Sequence, residues 1–201
     1  NHALFFLKRG SNVLIEKPFV LNLNHARKLI KISKEKKLKC WTSLQNRYNL
    51  ATSKLRSEIN SKTIGKIGLV DCTMLWHRNK KYYSNNWRGK YASDGGVLTN
   101  QAIHLLDTLV YNFGSISKFD VFASFDKKKL QAEDLIIINF KHPHGILSSF
   151  KATTRANNNY RSAIDIIGDK GRIIVKGVSL NTFNKFKNDE LVLYKKFSEN
   201  F

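Results

Sequence analysis

In the N-terminal part of the chain, two short apolar runs flank one amphipathic segment. Residues 12–16 contain Val13-Leu14-Ile15, a run typical of a buried parallel strand, and residues 40–44 form a second short strand. Between them, from the N-cap candidate Asn22 to Leu38, apolar residues recur at helical spacing. A strand, a helix and a strand in this order predict a parallel βαβ unit, the end of a doubly wound sheet without its beginning.

The rest of the chain shows two helical segments and a series of strands. Helices are predicted over residues 50–60 and after the glycine pair Gly95-Gly96. The predicted strands cover residues 67–76, 118–125, 134–140, 146–153, 162–167 and 172–175. Because the later strands are joined only by turns, we expect a largely antiparallel sheet. The expected fold class is α/β for the chain as a whole, with an α+β arrangement in the main part of the chain. The parallel unit covers 1–43, and a large open sheet with helices on one face covers 44–201.

The net charge of the chain is strongly positive. Of its 201 residues, 35 are basic and 15 acidic, which gives +20 and would attract nucleic acid or a phosphorylated small molecule. The basic residues are scattered, apart from short runs at 34–39 and 127–129. A nucleic-acid surface concentrates its charge among stacking aromatic residues, so we do not expect nucleic-acid binding.

The cysteines and the chain ends bear on location and completeness. Cys40 and Cys72 have neither metal-ligand nor disulfide spacing, and no apolar run is long enough to span a membrane. We therefore expect a cytoplasmic protein with reduced thiols, no metal site and no membrane association. The chain begins with Asn1, and its single methionine is Met74, so we expect it to be a fragment.

The segment after the glycine pair carries the most informative side chains. On a continuous helix, Asn100 and His104 lie one turn apart on the same face, so an amide and an imidazole point together. Such a pair can hold a hydroxyl and remove its proton, and histidine is the commonest general base near neutral pH. Asp107 either orients the imidazole or bonds to a nearby backbone amide.

Three further features have both a structural and a functional interpretation. Glu16-Lys17-Pro18 follows the first strand at the sheet edge where ligands bind, but the tripeptide alone favours a surface lysine at a strand end. Trp87 and Arg88 can stack on a sugar ring and bind phosphate or carboxylate, or belong to an interface. Free amides after Gly95-Gly96 would favour an anionic group, although glycine there already has a backbone explanation.

Taken together, these segments resemble the Gfo/Idh/MocA family of sugar and inositol dehydrogenases. Residues 8–19 resemble the end of that family's cofactor domain, and 94–107 look like its second signature. The helix after Asn22 and the segments 45–48, 65–68, 132–134 and 167–171 follow in the family's order. Each motif is modest, but their ordered combination is specific and covers nearly the whole chain.

The resemblance implies an NAD- or NADP-dependent oxidoreductase acting on a sugar or UDP-sugar. Residues 1–43 would be the C-terminal remnant of its Rossmann domain, and 44–201 its substrate-binding and catalytic domain, incomplete at the C terminus. By family analogy Lys17 contacts the nicotinamide and the reacting hydroxyl, and His104 is the acid/base. The other residues implied are Glu16 and Pro18 for the cofactor and Arg47, Trp87, Arg88, Asn100 and Gln101 for the substrate.

The chain departs from the family pattern in two respects. Asn100 stands where the family often has aspartate, which puts a histidine–carboxylate proton relay there in doubt. This variant pattern, Asn-Gln-x-Ile-His with Trp-Arg-Gly upstream, looks like family members that oxidise the 3-hydroxyl of UDP-linked amino-sugar uronates. The glycine-rich dinucleotide turn is absent, so we expect most of the Rossmann domain to precede Asn1 and the fragment alone to be inactive.

A second hypothesis is a non-catalytic remnant that serves oligomerisation or anion binding. Relatives often associate through the open face of the sheet, and the alternating apolar residues of 135–140 would allow a homo-oligomer here.

Overall fold

A computed structural model describes residues 2–85, 87–126 and 130–197 of the chain. The chain divides into two compact units, Asn1–Leu44 and Gln45–Phe201. Each unit is described by itself.

The first unit is a parallel βαβ unit preceded by a short helix. It consists of α1 (His2–Lys8), β1 (Val13–Ile15), α2 (Leu23–Glu35) and β2 (Cys40–Thr42). The strands pair in parallel, with Leu14 opposite Trp41. The Asn22 side chain caps α2 by accepting the N–H of Asn24 at 2.8 Å. The predicted βαβ order and N-cap are confirmed, whereas α1 was not predicted.

The expected burial of the first strand is wrong. Leu14 is 70% exposed and its partner Trp41 is 59% exposed. Both side chains lie on an exposed face of the two-stranded sheet. Their apolar character is typical of a strand with another layer packed against it.

The second unit is built on one eight-stranded sheet. Its strands are β3 (Ile67–Leu75), β4 (Lys118–Ser124), β5 (Leu135–Lys141), β6 (Leu147–Thr153), β7 (Arg161–Gly168), β8 (Gly171–Lys176), β9 (Thr182–Lys187) and β10 (Glu190–Lys196). Their spatial order is β10-β9-β8-β7-β3-β6-β5-β4. β3 and β6 pair in parallel, and all other neighbouring strands are antiparallel, which confirms the predicted sheet.

In the part of this unit that the structure describes, four α-helices accompany the sheet, and the longer ones cover one of its faces. They are α3 (Leu50–Asn60), α4 (Lys80–Tyr83), α5 (Gly96–Asn100) and α6 (Ile103–Phe113). The buried core joins Leu55 of α3 and Leu109 of α6 to Val70, Phe150 and Ile164 on the inner face of the sheet. Burial of such side chains contributes about 1.5–3 kcal/mol each. The prediction of helices on one face is confirmed.

The prediction of a single helix after Gly95-Gly96 is wrong: there are two helices, and Asn100 and His104 do not lie on one continuous helix. The N–H of Ala102 donates to the carbonyl of Val97, five residues back, at 2.8 Å. This extra residue interrupts the helical ladder between α5 and α6. Asn100 ends α5, and His104 lies in the first turn of α6.

Two negative findings concern the described part of the chain. None of its helices is both long and apolar enough to cross a membrane. Within the same residues, no group of three or more His, Cys, Asp and Glu side chains is arranged to hold a metal ion.

Candidate active site

The glycine pair forms a left-handed turn that Glu133 closes. Gly95 and Gly96 have φ of 72° and 84°, a region that glycine tolerates. The N–H of Val97 donates to the backbone carbonyl of Glu133 at 2.8 Å, and the N–H of Leu98 donates to its Oε1 at 3.1 Å. The expectation of free amides for an external anion is therefore wrong at these two positions. Burial raises the pKa of Glu133, and the bond from Leu98 partly opposes this effect.

Asn100 and Gln101 converge on the hydroxyl of Tyr82. The side-chain amide of Gln101 donates to that oxygen at 2.9 Å, and the amide of Asn100 donates to it at 3.3 Å. Asn100 also donates to Oδ1 of Asp94, while Oδ2 of Asp94 accepts the N–H of Gly89 at 2.7 Å. Two of the predicted substrate-binding residues are thus brought together by a tyrosine that was not predicted.

Arg88 completes this group, which we call the Tyr82 cluster: Tyr82, Arg88, Asp94, Asn100 and Gln101. The guanidinium carbon of Arg88 lies 4.0 Å from the centre of the Tyr82 ring and 5.1 Å from that of Trp87. Its Nη1 donates to the backbone carbonyl of Tyr82 at 3.3 Å. The backbone of Tyr82 is itself fixed, because its N–H donates to the Asn79 side chain at 3.0 Å.

Arg47 lies at a different place, against α6. Its Nε donates to Oδ2 of Asp107 at 2.7 Å and its Nη2 to Oδ1 at 2.5 Å, so the pair is bidentate. The hydrogen bond to Asp107 raises the pKa of Arg47, and burial partly opposes it. Both carboxylate oxygens of Asp107 therefore accept from Arg47, a contact that neither sequence interpretation of Asp107 had included. Arg47 braces the helix that carries His104.

In the first unit, Glu16, Lys17 and Pro18 directly follow β1, as predicted from the sequence. The N–H of Ser43 donates to the carbonyl of Ile15 at 2.8 Å, which ties the end of β1 to β2. Glu16 is exposed, whereas Lys17 and Pro18 are half-buried. A cavity of about 300 Å³ in the same unit is lined by residues that include Ile15, Phe19 and His25.

A larger cavity in the second unit was not predicted. It has a volume of about 650 Å³, and its lining includes Arg78, Tyr83, Asp134, Thr154 and Arg155. Nη2 of Arg155 lies 2.6 Å from the Asp134 carboxylate, and the Tyr83 and Thr154 hydroxyls are 2.7 Å apart. Its lining residues come from separate segments between Arg78 and Arg155, so local sequence patterns do not predict this cavity.

These features define the class of protein. A family model for an NAD-binding Rossmann-fold oxidoreductase matches residues 1–44, and a model for the GFO/IDH/MocA C-terminal domain matches residues 52–174. Together with the eight-stranded sheet, these matches place parts of both domains of that oxidoreductase family in the chain. The chain belongs to the Gfo/Idh/MocA family, as its sequence motifs indicated.

The chain is similar to characterised dehydrogenases over nearly all of its length. The WlbA dehydrogenase of Bordetella pertussis, solved in complex with NADH and UDP-GlcNAcA, is 28% identical, with a TM-score of 0.84 over 99% of this chain and 56% of that chain. Myo-inositol 2-dehydrogenase of Thermotoga maritima is 26% identical over 183 residues, 87% of this chain and 52% of the relative. The chain thus spans about half the length of these relatives.

Proposed function

We propose that the protein is an NAD- or NADP-dependent dehydrogenase that oxidises a secondary hydroxyl of a sugar or sugar nucleotide. The observation that carries this proposal is the Tyr82 cluster, which gathers amide, hydroxyl and guanidinium groups directly before the helix of His104. Hydroxyl-rich substrates are recognised by such groups. The similarity to a dehydrogenase solved with UDP-GlcNAcA supports the same class of substrate.

The first unit contains residues that fit one end of a nicotinamide dinucleotide. Lys17 and Glu16 supply an ammonium and a carboxylate at the carboxyl end of a parallel strand, where such cofactors are contacted. Gly10 is the only glycine among residues 1–44, so these residues do not form the glycine-rich turn that holds the diphosphate. We assign Glu16, Lys17 and Pro18 to the nicotinamide end alone.

In the proposed reaction each residue has one task. A nicotinamide cofactor, when bound, accepts the hydride from the carbinol carbon. In the second unit, His104 takes the proton of the hydroxyl at a ring nitrogen. In the first unit, Lys17 contacts the nicotinamide. Asn100 and Gln101, with Trp87 and Arg88, hold the sugar, while Arg47 positions α6 through Asp107.

The test uses protein expressed from the complete gene, with NAD⁺ or NADP⁺ and a panel of UDP-GlcNAcA, UDP-GlcNAc, myo-inositol and glucose. Turnover is followed by nicotinamide absorbance. His104→Ala and Lys17→Ala are each expected to lower kcat by about 10²- to 10⁴-fold. His144→Ala, an exposed histidine in the turn after β5, is the matched control and should retain activity. Unchanged kcat in both His104→Ala and Lys17→Ala would overturn the site assignment.

A second candidate function, self-association, is favoured by the outer face of the sheet. Exposed apolar side chains lie on five neighbouring strands of that face: Phe122, Ile137, Leu147, Leu69 and Ile167. We propose that two copies of the chain meet there, either in the dehydrogenase or in a non-catalytic module. Sedimentation equilibrium should show an oligomer that Ile137→Arg dissociates. A monomeric wild type, or an unchanged mass for the variant, would refute the interface.

A further inference from the structure

Arg88 is half-buried, yet its charge is not balanced by a carboxylate within the described residues. Arg47, Arg155 and Arg172 each form an ion pair with an aspartate. By contrast, the one hydrogen bond that Arg88 makes in this part of the chain is the 3.3 Å bond to the carbonyl of Tyr82. Its Nε is buried and has no acceptor there. A guanidinium keeps its charge at any ordinary pH, so this position favours an anionic group supplied from outside.

The Tyr82 hydroxyl, on the ring under Arg88, is set up to donate. A phenolic oxygen has two acceptor positions and one proton, and both acceptor positions take amide N–H groups from Asn100 and Gln101. The amide orientation of Asn100 is fixed by Asp94, whose carboxylate can only accept. The proton of the Tyr82 hydroxyl therefore points away from both amides. No acceptor for it is found among the residues that the structure describes.

We propose that Arg88 and Tyr82 form a specificity site for a carboxylate carried by the sugar of the substrate. This inference rests on the proposed function, since it places the site beside the residues that hold the sugar. Nε is buried and Nη1 makes one hydrogen bond, to the carbonyl of Tyr82, so we assign the other Nη N–H groups and the tyrosine O–H to the two oxygens of the carboxylate. The nearby carboxylate of Asp94 accepts from the N–H of Gly89 and from the side-chain amide of Asn100, and not from Arg88.

The site should make the protein prefer an acidic sugar over its neutral counterpart. UDP-GlcNAcA and UDP-GlcNAc carry the same nucleotide and differ in having a carboxylate or a hydroxymethyl group at one ring carbon. A charge-assisted hydrogen bond corresponds to about a ten- to hundredfold change in affinity. We therefore expect wild-type protein to bind the uronate about 10- to 100-fold more tightly.

The experiment measures Kd for both sugar nucleotides by calorimetry, with protein from the complete gene and NADH present, and kcat/KM alongside. Arg88→Gln should bring the two Kd values within about threefold, and Tyr82→Phe should reduce the preference about tenfold. Arg88→Lys, which keeps the charge, should retain part of the preference. Arg56→Gln is the matched control, because Arg56 also stacks on a tyrosine, with its guanidinium carbon 4.1 Å from the Tyr111 ring. Its preference should not change.

The outcomes separate this inference from the proposed function. If no sugar is turned over but wild-type binding depends on the carboxylate and on Arg88, the dehydrogenase proposal fails and the carboxylate site stands. If sugars are turned over and the preference is unchanged in Arg88→Gln and Tyr82→Phe, the carboxylate site is refuted. Equal binding of both sugar nucleotides by wild type refutes it as well. If Arg88→Gln does not fold, Arg88→Lys and Tyr82→Phe decide the matter.

Discussion

Glu58 is a buried carboxylate whose charge should stabilise the second unit by a measurable amount. It lies on α3, and its side chain is 7% exposed. Its oxygens accept from Nζ of Lys185 on β9 at 2.7 Å, from Nζ of Lys54 at 2.6 Å and from the Thr63 hydroxyl at 2.5 Å. The pair with Lys185 joins the inner face of the sheet to the helix that covers it.

The size of this stabilisation follows from the pKa of Glu58. Burial alone would raise that pKa, but the hydrogen bonds from Lys185, Lys54 and Thr63 outweigh burial and lower it from 4.5 to about 2. At about 1.4 kcal/mol per pKa unit, this gap corresponds to about 3 kcal/mol of stability at neutral pH. Because the folded-state pKa lies below the unfolded one, the stabilisation is complete above about pH 5 and is lost as the pH falls towards 2.

The assay is urea unfolding of wild type and Glu58→Gln between pH 7 and pH 2. We expect the variant to be less stable by about 3 kcal/mol at pH 7, by about 1 kcal/mol at pH 3 and by almost nothing at pH 2. Glu190→Gln, at an exposed position on β10, is the control and should change stability by less than about 0.5 kcal/mol. A loss below about 1 kcal/mol at pH 7, or a loss that does not vary with pH, would refute the reasoning.

Two further predictions concern the backbone and the thiols. Gly96→Ala should cost more than about 2 kcal/mol in urea unfolding, because it combines a left-handed φ of +84° with a Cβ that would lie 2.0 Å from the Glu133 carboxylate. Gly145 has a similar φ of +79°, but a Cβ there would have no neighbour within 4 Å, so Gly145→Ala should lower the free energy of unfolding by only about 1 kcal/mol. Equal losses of stability in the two variants would contradict the role of Glu133. Burial raises the pKa of both thiols, but Cys72 is fully buried and Cys40 is not. A thiol reagent at pH 8 should therefore modify one cysteine in native protein and both in guanidinium chloride, and rapid reaction of both in native protein would contradict this burial.

Periodicity predicted those parts of the fold that are decided locally. The βαβ order of residues 1–44 and the antiparallel pairs β4–β5, β5–β6 and β7–β8 follow from alternation and turn residues, which neighbours in sequence supply. The hairpin of β9 and β10 was missed, although Asn188-Asp189 between two alternating segments is a turn signal, and both residues have positive φ. The break between α5 and α6 gave no local signal in the sequence. It depends on the carbonyl of Val97, which accepts from Ala102, one residue further along the chain than in a regular helix.

The candidate site shows a similar division between reacting and supporting residues. Residue type together with position near the glycine pair pointed to Asn100, His104 and Arg88, since few side chains hold hydroxyls, move protons or bind carboxylates. Their supports could not be found in that way, because Tyr82 and Glu133 are 18 and 35 residues from the groups they contact. Tyrosine and glutamate are ordinary residues at such spacings, so only the folded chain identifies them. In the proposed carboxylate site, specificity depends on residues that motif matching does not select. We therefore expect Tyr82 to affect the choice of sugar more than the chemical step.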